Sequence, residues 1–112
     1  MFEIRNYHYD PQKFDAYKKW AIEDAAPFLK ANLDVVGFWV ANGQPAELTG
    51  SDPQENKHGS ANVTWIIRWD SREARDKGFK EVFQGKGWQA VWAKHPDADG
   101  YLQMESKFAD EV

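Results

Sequence analysis

The sequence contains no cysteine, which excludes disulfides, thiolate catalysis and cysteine-bound zinc or iron–sulfur centres. Its three histidines, His8, His58 and His95, are isolated, and no two of them have the spacing of metal ligands. The run Gly85-Lys86-Gly87 lacks the preceding strand of a phosphate-binding loop, so we interpret it as a helix break. We therefore expect no metal and no bound cofactor.

Long apolar runs and basic clusters are also missing. No apolar run approaches the roughly 18 residues of a membrane span, and residues 1–5 lack the apolar core of a signal peptide. The 14 Lys and Arg residues are scattered and the net charge is −4, which argues against nucleic acid or a membrane as partner. We expect a cytoplasmic protein in which residues 1–112 form a single domain.

Aromatic residues are abundant instead, with six Trp, four Tyr and seven Phe. In the clearest predicted strand, Val63, Trp65, Ile67 and Trp69 share one face because strand side chains alternate with a period of two. Two indoles on one face predict either a dry packing seam or the wall of a ligand site.

Four segments have the pattern of strands, and two helical regions separate them. The strands are Phe2–Tyr9, Val35–Ala41, the stretch that begins at Val63, and Tyr101–Phe108. The order β-α-β-β-α-β is that of a ferredoxin-like α+β fold. Right-handed crossovers then predict a four-stranded antiparallel sheet of strand order 4-1-3-2 with both helices on one face.

The helix boundaries follow from local signals. Asp10 and Pro11 predict the start of the first helix, and Pro27 is expected to kink or split it. Ser71 is expected to cap the second helix, and a shorter helix resumes at Trp88 after the glycine break. The polar segment 42–60 is either an extended hairpin tip or a lid or arm that embraces a partner subunit.

Strand alternation divides the predicted sheet into two faces. The face expected under the helices carries Phe2, Ile4, Val36, Phe38, Val40, Thr64, Ile66, Leu102 and Met104. The opposite face carries Glu3, Arg5, Tyr7, Val35, Gly37, Trp39, Trp65, Ile67, Trp69, Tyr101, Gln103 and Glu105. Left open to solvent, this second face would be a large apolar patch, so we expect a homodimer through the helix-free face that closes a barrel lined by aromatics.

Several short motifs, in order, resemble those of NIPSNAP-type domains. These are Phe2-Glu3-Ile4-Arg5-Asn6-Tyr7 for "Y-E-L-R-x-Y", Val36-Gly37-Phe38-Trp39 for "V-G-F-W", Trp69-Asp70-Ser71 with Arg75 for "Y-x-S-x-x-x-R", and Trp88-Gln89-Ala90 for "W-Q-x". The resemblance covers nearly the whole chain outside the 42–60 loop, which is longer here than the usual pattern. It implies a dimeric α/β barrel, the group that includes small haem-degrading and antibiotic-biosynthesis monooxygenases.

The resemblance also bears on haem. The iron-binding histidine of the haem-degrading relatives lies on the second helix. The matching region here, residues 88–92, contains no histidine, and His95 lies one turn later. No haem is expected.

The candidate catalytic residues are Arg5, Tyr7 and Glu105. Arg5 either pairs internally with Glu3 or Glu105 to fix the dimer interface, or clamps an anionic oxygen of a ligand. Glu105 and Tyr7 would handle protons, and Glu105 or Glu3 would act as a base only where an apolar pocket raises the carboxyl pKa.

The candidate substrate-binding residues are Glu3, Trp39, Trp65, Trp69 and Gln103. The three indoles either stack on a flat ligand or pack the subunit interface, whereas Trp88 and Trp92 are expected in the core. The sequence thus predicts a small-molecule-binding protein, a cofactor-free oxygenase, isomerase or cyclase acting on a small aromatic or conjugated compound. The alternative is a non-catalytic dimer that binds a ligand or a protein.

Overall fold

A computed structural model describes all 112 residues as a four-stranded antiparallel sheet with helices packed on one face. The strands are β1 (Phe2–Tyr9), β2 (Val35–Val40), β3 (Val63–Arg68) and β4 (Tyr101–Ala109). The helices are α1 (Phe14–Trp20), α2 (Ala26–Asn32), α3 (Arg72–Phe83) and α4 (Lys86–Trp92). The sheet order β2-β3-β1-β4 confirms the predicted ferredoxin-like α+β topology.

The first helical region begins after Asp10 and is divided near Pro27, as the sequence predicts. The Asp10 carboxylate accepts a hydrogen bond from the Gln12 backbone N–H (2.9 Å), and Pro11 and a short 3₁₀ turn lead into α1. Pro27 has no N–H to continue an α-helical ladder. The chain forms a π-helical segment, Ala21–Ala25, in which the Ala26 N–H bonds to the Ala21 carbonyl. The predicted split at Pro27 is thus confirmed.

The second helical region starts at the predicted cap, but the break within it lies at a different position from the one predicted. Ser71 caps α3, since its Oγ accepts a hydrogen bond from the Ala74 N–H (3.0 Å). The helix break is shorter than predicted, because Lys86 and Gly87 already belong to α4. A Cβ on Gly87 would lie 2.8 Å from the Phe28 ring, so glycine allows α4 to approach α2 closely.

The prediction of which sheet face lies under the helices is wrong for β1 and β3, whereas it is confirmed for Phe38, Val40 and Met104. In the antiparallel register Glu3 lies opposite Ile67, Arg5 opposite Trp65 and Tyr7 opposite Val63, and all six residues are buried. They form one core with Tyr17, Trp20, Ala21, Ala25 and Leu29 of the first helical region. Phe2, Ile4, Thr64 and Ile66 therefore point to the helix-free face, only half-buried. The buried Glu3 carboxylate is tolerated beneath the helices because both of its oxygens accept hydrogen bonds there.

A bulge in β2 places Phe38 and Trp39 on the faces predicted for them, although those faces carry different residues of β1 and β3 than predicted. The pairing with β3 shifts between Val35 and Gly37, so Phe38 lies opposite Trp65 on the helix face and Trp39 lies opposite Thr64 on the helix-free face. The Trp39 indole folds over Gly37, where a Cβ would lie 2.4 Å from the ring. The side-chain-free spot at Gly37 is therefore filled by this chain's own Trp39.

The register of β4 places its polar residues away from the helices. Met104 lies opposite Tyr7, whereas Glu105 lies opposite Asn6 and Gln103 opposite His8. Cross-strand partners share a face, so Glu105 and Gln103 point to the helix-free side. A register shift between His8 and Tyr9 brings Tyr101 beside Tyr9 on the helix face.

The 42–60 segment joins the antiparallel strands β2 and β3 and contains no strand, so the pairing of the hairpin does not continue into it. The strands β2 and β3 separate after the Ala41 N–H to Asn62 carbonyl hydrogen bond (2.8 Å). The loop then returns to the helix-free face of its own sheet, where Asn56 donates to Gln103 Oε1 (3.2 Å). The role of the loop as an arm on a partner subunit stays a prediction. None of the helices has both the length and the apolar character needed to cross a membrane.

Candidate functional site

A cavity of about 500 Å³ lies between the helix face of the sheet and the four helices. All but two of its lining residues, Arg5 and Gln89, are hydrophobic or aromatic. The walls include the rings of Tyr7, Tyr17, Trp20, Phe38, Trp65, Phe79, Phe83, Trp88, Trp92 and Tyr101. Such a volume is typical of small-molecule sites, and the rings suit a flat apolar body.

Arg5 brings the one charge that lines the cavity. Its Nε donates to the Tyr7 hydroxyl (2.7 Å) and its Nη1 donates to Glu3 Oε2 (2.7 Å). The guanidinium carbon lies 5.0 Å from the Phe79 ring centroid and 5.7 Å from that of Trp65, within the range of cation–π attraction. No protein acceptor pairs with Nη2, so this nitrogen is free for a ligand.

Glu3 is completely buried behind Arg5 and is saturated with donors. Its Oε1 accepts from Trp69 Nε1 (3.0 Å) and Arg75 Nε (3.0 Å), and its Oε2 accepts from Arg5 Nη1 and Arg75 Nη2 (2.8 Å). Burial raises the pKa of the Glu3 carboxyl, but the hydrogen bonds and charges of Arg75 and Arg5 outweigh it and hold that pKa below its usual value. Glu3 is therefore an ionised anchor with no free lone pair for a base.

The Tyr7 hydroxyl is fixed as a donor toward the cavity. Its oxygen already accepts hydrogen bonds from Arg5 Nε and from Trp65 Nε1 (2.9 Å). A phenol oxygen accepts through its lone pairs and has one proton to donate, and no protein acceptor takes that proton. Burial raises the pKa of Tyr7, although the Arg5 charge opposes it, so the hydroxyl stays protonated.

Two further phenols, Tyr17 and Tyr101, line the cavity. Burial raises the pKa of both side chains. Their rings meet nearly at right angles with centroids 5.9 Å apart, an edge-to-face packing that is favourable for aromatic pairs. Both remain neutral, so no group that lines the cavity changes charge near neutral pH.

His95 lies behind the cavity wall rather than in it. Its ring stacks on Trp92, with centroids 4.3 Å apart, and on Tyr101 at 5.2 Å. Burial lowers the pKa of His95, and its Nδ1 accepts from the Asp97 N–H (3.2 Å). The proton of the neutral ring is therefore on Nε2, which has no partner.

The sheet register brings five of the predicted site residues together and separates three. Glu3, Arg5, Tyr7, Trp65 and Trp69 lie together beneath the helices. Glu105, Gln103 and Trp39 lie on the helix-free face, as predicted, and are therefore separated by the sheet from the other five residues. Glu105 cannot exchange a proton with a ligand held by Arg5 and Tyr7.

Residues of the helices complete the site and were not predicted as such. Arg75 of α3 donates twice to Glu3, and Trp20, Trp88 and Trp92 line the cavity. Trp88 and Trp92 were expected in the core. Trp88 packs against it, whereas Trp92 is 38% exposed, although both rings contact Trp20. Arg75 was visible in the sequence as part of the motif Trp69-Asp70-Ser71 with Arg75, although not as a partner of Glu3. No cluster of three or more His, Asp or Glu side chains could hold a metal ion.

Solved structures with the same fold superpose on almost the whole chain. A NIPSNAP domain protein from Burkholderia xenovorans superposes with a TM-score of 0.70 and 15% identity, covering 99% of this chain and 93% of that one. A NIPSNAP family protein of unknown function from Agrobacterium tumefaciens gives 0.68 and 18% identity, covering 95% and 82%. The fold is that of the NIPSNAP-type proteins.

A further solved structure shares the fold at lower similarity. A protein from Bacteroides thetaiotaomicron, whose assignment as an antibiotic biosynthesis monooxygenase is itself provisional, gives a TM-score of 0.59 and 12% identity, covering 100% of this chain and 89% of that one. No family model matches the sequence, and no curated protein matches it either. At these identities the NIPSNAP-type likeness concerns the fold alone.

Proposed function

We propose that the chain binds a small aromatic or conjugated molecule in the cavity between sheet and helices, and acts on it without a cofactor. The observation that carries this proposal is the cavity itself, about 500 Å³ in size, with aromatic walls and with Arg5 and the Tyr7 proton converging at one end. The reaction is of the oxygenase, isomerase or cyclase type. The shared fold with the monooxygenase-like protein from Bacteroides supports an oxygenase within this group.

A binding protein without catalysis is the alternative, and the same cavity would serve it. Native mass spectrometry of freshly purified protein should reveal a retained small molecule in either case. Incubation of that molecule with the protein in air then distinguishes the enzyme from the binding protein. Conversion of the molecule supports an enzyme, whereas its recovery unchanged supports a binding protein without catalysis.

Blocking the cavity mouth should abolish ligand binding. Met104 lines the cavity and is 49% exposed, so Met104→Trp can place an indole across the opening at small cost in stability. Leu102 is 41% exposed on the same strand but does not line the cavity, and Leu102→Trp is the matched control. Calorimetric titration with a flat aromatic ligand should show at least a tenfold loss of affinity for Met104→Trp alone. Equal affinity of the two variants would place the binding site elsewhere.

We also propose that two copies pair through the helix-free face of the sheet. This face carries half-buried Phe2, Ile4 and Ile66, and Trp39, which is 50% exposed; only the returning loop at Asn56 and His58 covers part of it. An apolar sheet face of this kind is stabilised by a second sheet packed against it. The closed ligand space predicted between the subunits is not required, because the cavity lies within one chain.

The dimer is tested by introducing a negative charge into the proposed interface. Trp39→Glu should shift the protein from dimer to monomer in sedimentation equilibrium at micromolar concentration, because a buried unpaired carboxylate is costly at an interface. Ile22 is 63% exposed on the helical side, and Ile22→Glu should leave the dimer intact. A monomeric wild type, or equal behaviour of both variants, would contradict the proposed interface.

A further inference from the structure

The polar end of the cavity offers unpaired hydrogen-bond donors and no basic group. Arg5 Nη2 and the Tyr7 O–H are unpaired donors, and the nearby carboxylate of Glu3 has both oxygens occupied by four donors. No Asp, Glu or His lines the cavity. A ligand must therefore present an acceptor here, and the chain supplies no group that could remove its proton.

The local charge favours an anion at this end. Glu3 faces the two guanidinium groups of Arg5 and Arg75, and Arg75 has a second partner in the exposed Asp76 (3.1 Å). Asp76 is in turn shared with Arg72 (3.1 Å), so three guanidinium groups face two carboxylates. Arg5 has no carboxylate other than the one that it shares with Arg75. A negative oxygen beside Arg5 Nη2 would complete the balance.

The hydrogen bonds of Arg5 distinguish between kinds of anion. An arginine binds a carboxylate through two parallel bonds, either from Nε and Nη2 or from Nη1 and Nη2. In each of these pairs one nitrogen is already engaged, Nε by Tyr7 and Nη1 by Glu3. The free Nη2 and the neighbouring Tyr7 proton can instead converge on one oxygen atom.

We infer that this cavity takes its ligand as a preformed phenolate or enolate, with a single anionic oxygen bound between Arg5 Nη2 and the Tyr7 hydroxyl and the conjugated body among the indoles. The inference rests on the proposed function of the cavity and names its substrate class. Because no chain group accepts a proton there, the substrate loses its proton to water before it binds. Acidic phenols and readily enolised ketones meet this condition, whereas aromatic carboxylates fit the donor pattern poorly.

The groups that face this oxygen come from three elements. They are Arg5 and Tyr7 on β1, Tyr17 on α1 and Tyr101 on β4, with Glu3 and Arg75 behind them. Burial raises the pKa of all three tyrosines, and their arginine partners hold the pKa of Glu3 below its usual value. A change of affinity with pH around neutrality therefore reports the ionisation of the ligand.

Three probes that share a nitrophenyl ring test the inference by isothermal titration calorimetry. They are para-nitrophenol, its methyl ether para-nitroanisole, which cannot ionise, and para-nitrobenzoate, which is fully charged as a carboxylate. The affinity for para-nitrophenol should rise with pH until the phenol is ionised and then level off. At that plateau it should exceed the affinity for para-nitroanisole and for para-nitrobenzoate by about tenfold or more, because hydrogen bonds to a charged oxygen are the stronger ones.

The outcomes separate the inference from the function on which it rests. Binding of para-nitroanisole as tight as that of the phenolate would overturn the anion while leaving the cavity as a ligand site. Equal or tighter binding of para-nitrobenzoate would overturn the single-oxygen geometry. No binding of any probe would overturn both proposals. In Tyr7→Phe the ratio of phenolate to anisole affinity should fall several-fold, an internal ratio that a general loss of stability would not change.

Discussion

Replacement of Glu3 by glutamine is expected to destabilise the fold by about 3–5 kcal/mol, the usual cost of breaking a buried ion pair at one partner. Glutamine preserves the side-chain volume but has one acceptor oxygen in place of two. Its amide N–H groups would face the N–H groups of Arg5, Arg75 or Trp69, which now donate to the carboxylate. Urea denaturation followed by tryptophan fluorescence measures the free energy of unfolding.

Glu105 provides the matched control for this substitution. It lies on the same sheet, is exposed on the helix-free face and makes no ion pair. Glu105→Gln should change the free energy of unfolding by no more than about 0.5 kcal/mol. A loss in Glu3→Gln that stays within about 1 kcal/mol of the control would show that the carboxylate does not hold the helices to the sheet.

The same pair of variants should respond differently to acid. The folded-state pKa of Glu3 lies below its usual value of 4.5, so its contribution to stability is complete above that value and is lost as the pH falls through the lowered pKa. The difference in unfolding free energy between wild type and Glu3→Gln should therefore be constant near neutral pH and narrow below about pH 4.5. For Glu105→Gln the difference should stay small at every pH.

The topology of this chain could be predicted from local signals, because those signals agree with the fold. The spacing of Tyr17, Ala21 and Ala25 predicted the buried side of the first helical region, and all three are buried. Asp10 and Ser71 cap their helices as their positions indicated. The order of strands followed from the handedness of crossovers and needed no detail of side chains.

The orientation of the sheet could not be predicted in the same way. Both faces of β1 carry large apolar residues, and the face with Glu3 and Arg5 looked unsuitable for a core. The partner that makes it suitable, Arg75, comes 72 residues later in the chain, so no periodicity within β1 could reveal it. Alternation within a strand separates two faces but does not say which one is covered.

The bulges explain the remaining errors. A strand irregularity of one residue moves every following side chain to the other face. The shift between Val35 and Gly37 in β2 brings Phe38 into the cavity and leaves Trp39 outside. Gly37 lies at this shift, but a glycine within a strand can mark a close approach of another group as well as a bulge. The predicted candidate residues of β1 and β3 therefore stay together beneath the helices, whereas those of β2 and β4 lie on the opposite face of the sheet.

Substitution of Arg5 by methionine should have the largest effect on ligand binding. Methionine preserves the unbranched apolar stem, and Glu3 keeps its two bonds from Arg75 and one from Trp69, so the folded state retains an anchor for the carboxylate. The variant loses the charge-assisted bond from Nη2, worth about 1.5–3 kcal/mol, or about 10- to 150-fold in affinity for ionised para-nitrophenol. Gln89, the other polar lining residue, is exposed, and Gln89→Met should change that affinity less than about threefold. Urea denaturation first confirms that each variant is folded. Calorimetry then compares their affinities for ionised para-nitrophenol. Because the loss is electrostatic, affinity for para-nitroanisole should be nearly the same in Arg5→Met and in the wild type, and a parallel loss for both probes would instead mean that Arg5 shapes the cavity without binding the ligand.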